Sequence, residues 1–102
     1  MFSFSDRVEV PEYVLVRFLG KECVLLNLKS EIYYGLDEIG TRMWQLLTTA
    51  ARIEDAYTEL LAEFDVDTAL LRQNLTELLE RLADKGLLEI RSGDAEPTQV
   101  KQ

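Results

Sequence analysis

An α+β fold, with a three-stranded antiparallel sheet followed by three helices, is what this sequence predicts. Three observations carry that expectation. Residues 13 to 36 are rich in Val, Leu, Tyr and Phe in short runs, a composition that favours strands. Residues 37 to 88 are rich in Leu, Ala, Glu and Arg, with apolar residues three or four apart, as on one face of a helix. That second stretch contains no proline to interrupt it. The 102 residues suit a single domain.

The first strand is expected over Tyr13 to Leu19. Gly20-Lys21 then makes a tight turn, since glycine supplies the positive φ that short hairpins need. Glu22 to Leu28 is the second strand. Val24, Leu26 and Leu28 alternate with Cys23, Leu25 and Asn27, and Asn27 assigns the latter set to the outer face. Lys29-Ser30 is a polar turn. Ile32 to Leu36 is a third, short strand, with Ile32, Tyr34 and Leu36 on one side.

Asp37 or Glu38 opens the first helix, placing carboxylates at its positive end. Ile39, Met43, Leu46 and Leu47 form its apolar stripe, and Trp44 beside them reads as a core anchor. Gly40 inside this helix suggests a close backbone approach. The second helix is expected from about Ile53 to Phe64. Thr49 is the nearest candidate cap for its start, because Arg52 is no capping residue. The third runs from Thr68 to Lys85 with Asp67 as N-cap. Leu71, Leu75, Leu78, Leu79 and Leu82 make its stripe, and Gly86 its left-handed stop. Leu87 to Ile90 follow as an extended piece. Residues 1–10 read as an N-terminal arm, loosely held, with Phe2 and Phe4 available to dock. Residues 11–90 read as the domain, and 91–102 as a disordered polar tail.

This order of elements is winged-helix-like, yet the charge does not suit nucleic acid. The chain has 19 acidic against 11 basic residues, a net charge of −8, while phosphate binding needs clustered Lys and Arg. The third helix, where a recognition helix would lie, is itself net acidic. Enzyme readings are weak. The sequence has no histidine, so the commonest general base and metal ligand is missing. The pairs Asp37-Glu38 and Glu54-Asp55 sit at helix starts, where they complement the dipole rather than share a proton. No EF-hand loop and neither common glycine-rich phosphate motif occurs. No catalytic residue, metal or cofactor is therefore expected. Neither a signal peptide nor an apolar run long enough for a membrane span is seen. The lone Cys23 is read as a small hydrophobe in a reducing cytoplasm.

The third strand is the sharper feature. It ends a meander and contains no lysine or proline to blunt its edge. Such an edge can accept a peptide as an additional strand. It can equally be covered by the N-terminal arm or by residues 87–90, and the residues alone leave both readings open.

Residues 24 to 47, VLLNLKSEIYYGLDEIGTRMWQLL, and 70 to 88, LLRQNLTELLERLADKGLL, together resemble the PqqD-like family. The resemblance spans about residues 10 to 90. It implies a non-catalytic chaperone that captures the leader segment of a ribosomally made precursor peptide and presents it to a modifying enzyme. It further implies an antiparallel leader strand along Glu31, Ile32, Tyr33, Tyr34 and Gly35. The wall would be the third helix, through Leu71, Asn74, Leu75, Leu78 and Arg81. The family commonly has an aspartate where Asn74 stands and an aromatic where Leu78 stands. The Tyr-Tyr-Gly-Leu and Met-Trp elements resemble stand-alone lasso-peptide recognition proteins, whose partners are a leader peptidase and a cyclase. The alternative is the pyrroloquinoline-quinone type, which serves a radical S-adenosylmethionine enzyme. A Cys-Asp-Gly-like element of that type is replaced here by Thr48-Thr49-Ala50. On approach, the acidic net charge would favour a basic leader. The rival from another class is a winged-helix-like structural or regulatory module that pairs with a protein and binds no leader.

Overall fold

The computed structural model describes residues 2–93 and divides them among five strands and three helices. Strand β1 is Arg7–Glu9, β2 Val14–Leu19, β3 Glu22–Asn27 and β4 Ile32–Leu36. Helices α1 (Glu38–Thr49), α2 (Ile53–Glu63) and α3 (Thr68–Asp84) follow, and β5 (Glu89–Arg91) ends the described chain. Strands β2, β3 and β4 form an antiparallel sheet in that order, while β1 and β5 pair as a separate ribbon. The three-strand, three-helix α+β plan matches the sequence reading, and β4 is the third strand of the expected meander.

The meander is made by its turns. Gly20, at φ +67°, closes the β2–β3 hairpin as the first turn residue, the arrangement of a type II′ turn. Between β3 and β4, Glu31 takes up φ +61° and donates its N–H to Asn27 O at 2.7 Å. The resulting register sets Leu25 opposite Tyr34 and Asn27 opposite Ile32.

The faces of β3 are the reverse of the expectation. Cys23, Leu25 and Asn27 point inward and are buried, whereas Leu28 is exposed and Val24 and Leu26 are half-buried. The polar residue is inside because its groups are used. Asn27 Nδ2 donates to Lys85 O and Gly86 O, both at 3.2 Å. Its Oδ1 accepts from the Lys29 and Ser30 N–H groups. A buried amide satisfied in this way incurs little desolvation penalty. It also joins the β3–β4 hairpin to the end of α3.

Each helix has a visible start and stop. Asp37 caps α1 by accepting from Gly40 N–H at 2.8 Å, and Asp67 caps α3 by accepting from Leu70 N–H. In α1 the buried residues are Gly40, Thr41, Met43, Trp44 and Leu47, while Ile39, expected in the stripe, is exposed. Gly40 is tight as expected: a Cβ there would lie 3.2 Å from both Asp37 Oδ1 and Leu36 Cδ2. Thr49 is not the cap of α2. It ends α1, with Oγ1 donating to Gln45 O. The first N–H groups of α2 are capped by main chain instead, Ile53 by Asp6 O and Glu54 by Phe4 O. Helix α3 ends at Gly86, whose φ of +69° lets Leu87 N–H reach back to Leu82 O at 2.9 Å.

The N-terminal arm is thus tied down. Phe2 and Phe4 pack against the core, Phe4 lies edge-on to Tyr57, and β1 pairs with β5. Arg91, placed in the tail by the sequence reading, belongs to this ribbon and opposes Arg7. Ser92 and Gly93 follow it, and the rest of the expected tail, residues 94–102, lies outside the described residues. The core joins the inner sheet face to all three helices through Leu25, Leu36, Trp44, Leu47, Leu60, Leu75, Leu79 and Leu82.

Candidate functional site

Backbone geometry decides which groups of β4 are spare. In an antiparallel ladder, successive residues turn their N–H and C=O to opposite sides. Leu28 N–H donates to Tyr13 O, which fixes the phase of the β2–β3 ladder. Glu22, Val24 and Leu26 therefore bond toward β2, leaving Cys23, Leu25 and Asn27 to bond toward β4. Their partners are Leu36, Tyr34 and Ile32. It follows that Tyr33 and Gly35 turn their N–H and C=O away from the sheet. Neither β1 nor β5 pairs there, since β4 is an edge strand of its sheet. The two covers considered from the sequence are used on each other.

The side chains along this edge divide by face. Tyr33 is 71% exposed on the outer face. Gly35 is exposed, and a Cβ there would meet nothing within 4 Å. Ile32 and Glu31 are exposed at the start of the strand. Tyr34 points inward, half-buried, and its hydroxyl accepts from Arg81 Nη1 at 2.9 Å. The Lys85 ammonium lies 5.8 Å from the centre of the same ring. This contact brings α3 alongside β4. The Tyr34 hydroxyl and the nearby Glu77 charge hold the Arg81 guanidinium above its ordinary value, so it stays cationic.

The end of α3 reaches that edge through Arg81 and Lys85, and earlier residues at the same helical spacing form a mixed surface. Asn74 and Arg81 are exposed, and Leu70, on the same face, is 51% exposed. Leu71 and Leu78 are buried to within a few per cent. Leu75 is wholly buried on the core side of the helix. Leu70 and Lys85, which the sequence reading did not single out, lie on the same face, and Lys85 reaches the Tyr34 ring. Both extend the three- and four-residue spacing through Asn74, Leu78 and Arg81, and that spacing was the available signal. Among the described residues, no group of three or more His, Cys, Asp or Glu is placed to hold a metal ion. No helix there is long and apolar enough to cross a membrane.

The sequence pattern of the family described as Coenzyme PQQ synthesis protein D (PqqD) matches residues 22–88. The chain belongs to the PqqD family. The matched span begins with β3 and ends with α3 and Leu87-Leu88, so it contains the PqqD sheet edge and helix wall described above. No curated protein gives a significant match. Among solved structures, the chain is similar to "TbiB1 in Complex with the TbiA(beta) Leader Peptide". The identity is 36% and the TM-score 0.74, over 79% of this chain and 94% of that one.

Proposed function

We propose that this PqqD-family domain captures the leader segment of a ribosomally made precursor peptide by strand addition to β4, and presents it to an enzyme that does the chemistry. The observation that carries the reading is the unpaired edge. Tyr33 and Gly35 offer N–H and C=O groups outward, beside a wall formed by α3. Main-chain bonds supply affinity in this mode, and pockets for alternate side chains supply selectivity. The solved relative, bound to a leader peptide, supports the same assignment.

The domain acts without catalysing. It holds no histidine, and its lone thiol, Cys23, is buried in the sheet. The contact residues are Glu31 in the turn and Ile32 to Gly35 on the strand, with Leu71, Asn74, Leu78 and Arg81 on the helix and Leu70 and Lys85 added. Its partner is a leader peptidase with a cyclase, or a radical S-adenosylmethionine enzyme. The Tyr-Tyr-Gly-Leu run favours the former. A reduced free thiol suits the cytoplasm.

Isothermal titration, with NMR mapping of the backbone amides, tests the reading with the TbiA(beta) leader and with the leader of a precursor encoded beside this chain. Binding that shifts the amide signals of residues 31–36 and 70–81 is the expected result. Binding that leaves these residues unmoved, or none by either leader, contradicts it.

A further inference from the structure

Two cations stand together at the groove of an acidic chain. The chain carries −8, yet two cations, Arg81 and Lys85, converge on the ring of Tyr34. Among the described residues neither has a carboxylate partner, whereas Arg7, Lys21, Arg42 and Arg91 all do. The acid best placed to neutralise Arg81 is Glu77, one helical turn away. Its carboxylate accepts from Gln73 Nε2 at 3.2 Å and forms no ion pair with Arg81. Arg81 therefore spends one N–H on a neutral phenol and keeps the rest of its donors in reach of the groove.

A strand added to the β4 edge is placed by the phase of the ladder. Its hydrogen-bonded pairs form with Tyr33 and Gly35, so its residue opposite Tyr34 falls in a non-hydrogen-bonded pair. In such pairs the side chains share a face and lie closest together. That peptide side chain lies beside the Tyr34 ring, next to the guanidinium that bonds the Tyr34 hydroxyl. We infer that the captured peptide carries an acidic residue opposite Tyr34, and that Arg81, with Lys85 behind it, selects for it. This deepens the strand-addition reading and rests on it. It also separates two ranges of electrostatics. The net charge acts at long range and is screened by salt within about 10 Å. Contact at Tyr34 is read by local cations.

The probe is a displayed library of short random peptides, selected on the immobilised 102-residue chain. Selected peptides that shift the Tyr33 and Gly35 amides should share one Asp or Glu, with apolar residues two positions away. Replacing that acid by its amide in the peptide should weaken binding roughly three- to tenfold. The same replacement should have a clearly smaller effect on binding to Arg81→Gln, which keeps a donor for Tyr34 and leaves only Lys85 to meet the acid. The double variant Arg81→Glu, Lys85→Glu should select Lys or Arg at that position. Peptides that shift Tyr33 and Gly35 without charge preference overturn the inference and leave strand addition standing. So does an acid-to-amide loss that persists undiminished against Arg81→Gln. If no selected peptide moves Tyr33 or Gly35, strand addition itself fails and takes this inference with it. The peptide-side replacement needs no protein variant, so the comparison survives if a variant fails to fold.

Discussion

Asn27 is the side chain on which the placement of the β4 edge depends. Its amide bonds Lys85 O and Gly86 O across 58 and 59 residues of sequence. Asn27→Leu keeps the branched heavy-atom shape but leaves two carbonyls without a donor and two N–H groups without an acceptor, and should cost about 1–3 kcal/mol in a denaturant melt. Gly86→Ala should cost about 1–2 kcal/mol for the left-handed backbone alone. It should cost more in practice, because its Cβ would sit 2.8 Å from Asn27 Nδ2. The alternation of β3 led the sequence reading to place Asn27 outside. Alternation reports only that two faces differ. Which one is buried was decided by carbonyls at the far end of α3, and no local pattern contains them. On β4, Tyr33→Pro should leave the fold intact, because its N–H points off the sheet edge. It should weaken peptide binding about fivefold, the loss of one hydrogen bond near 1 kcal/mol. Tyr33→Ala should weaken it less. Tyr34→Pro removes a ladder bond to Leu25 and should unfold the hairpin, seen as loss of the β3–β4 amide signals.

Helices and hairpins were legible where they start and stop on their own residues. Asp37, Asp67, Gly20 and Gly86 each act within three or four positions of themselves. The start of α2 was not legible, because its cap is supplied by the main chain of the N-terminal arm. Strand β1 was missed for the same reason: its partner, β5, lies at the other end of the described chain. Removing residues 1–9 should therefore lower the melting temperature and speed hydrogen exchange at Ile53 and Glu54. The ribbon is also pH-sensitive. Hydrogen bonds from Arg7, then Arg91, hold the Glu9 carboxyl below its ordinary value. The folded state thus favours the ionised form. The stabilisation is full above the unfolded carboxylate value and is lost as pH falls through the lowered folded value. Thermal melts should show stability dropping below the usual carboxylate range, with a smaller drop in Glu9→Gln.

At the scale of the whole molecule, the candidate site is a relation between β4 and α3 rather than a constellation of reactive groups. The strand half was legible as a run of residues. That its edge stays open was not, because openness depends on where β1 and β5 go. The helix half was legible as spacing, and on the proposed reading Leu70 and Lys85 extend the same face, with Leu75 buried behind it. The central claim is that a leader peptide adds as a strand to the β4 edge. Amide hydrogen exchange, measured residue by residue with and without bound leader, tests it most directly. The amides of Tyr33 and Gly35 should exchange readily in the free domain and become strongly protected in the complex, while those of Ile32, Tyr34 and Leu36 should change little. A leader that binds and leaves Tyr33 and Gly35 unprotected would contradict the account.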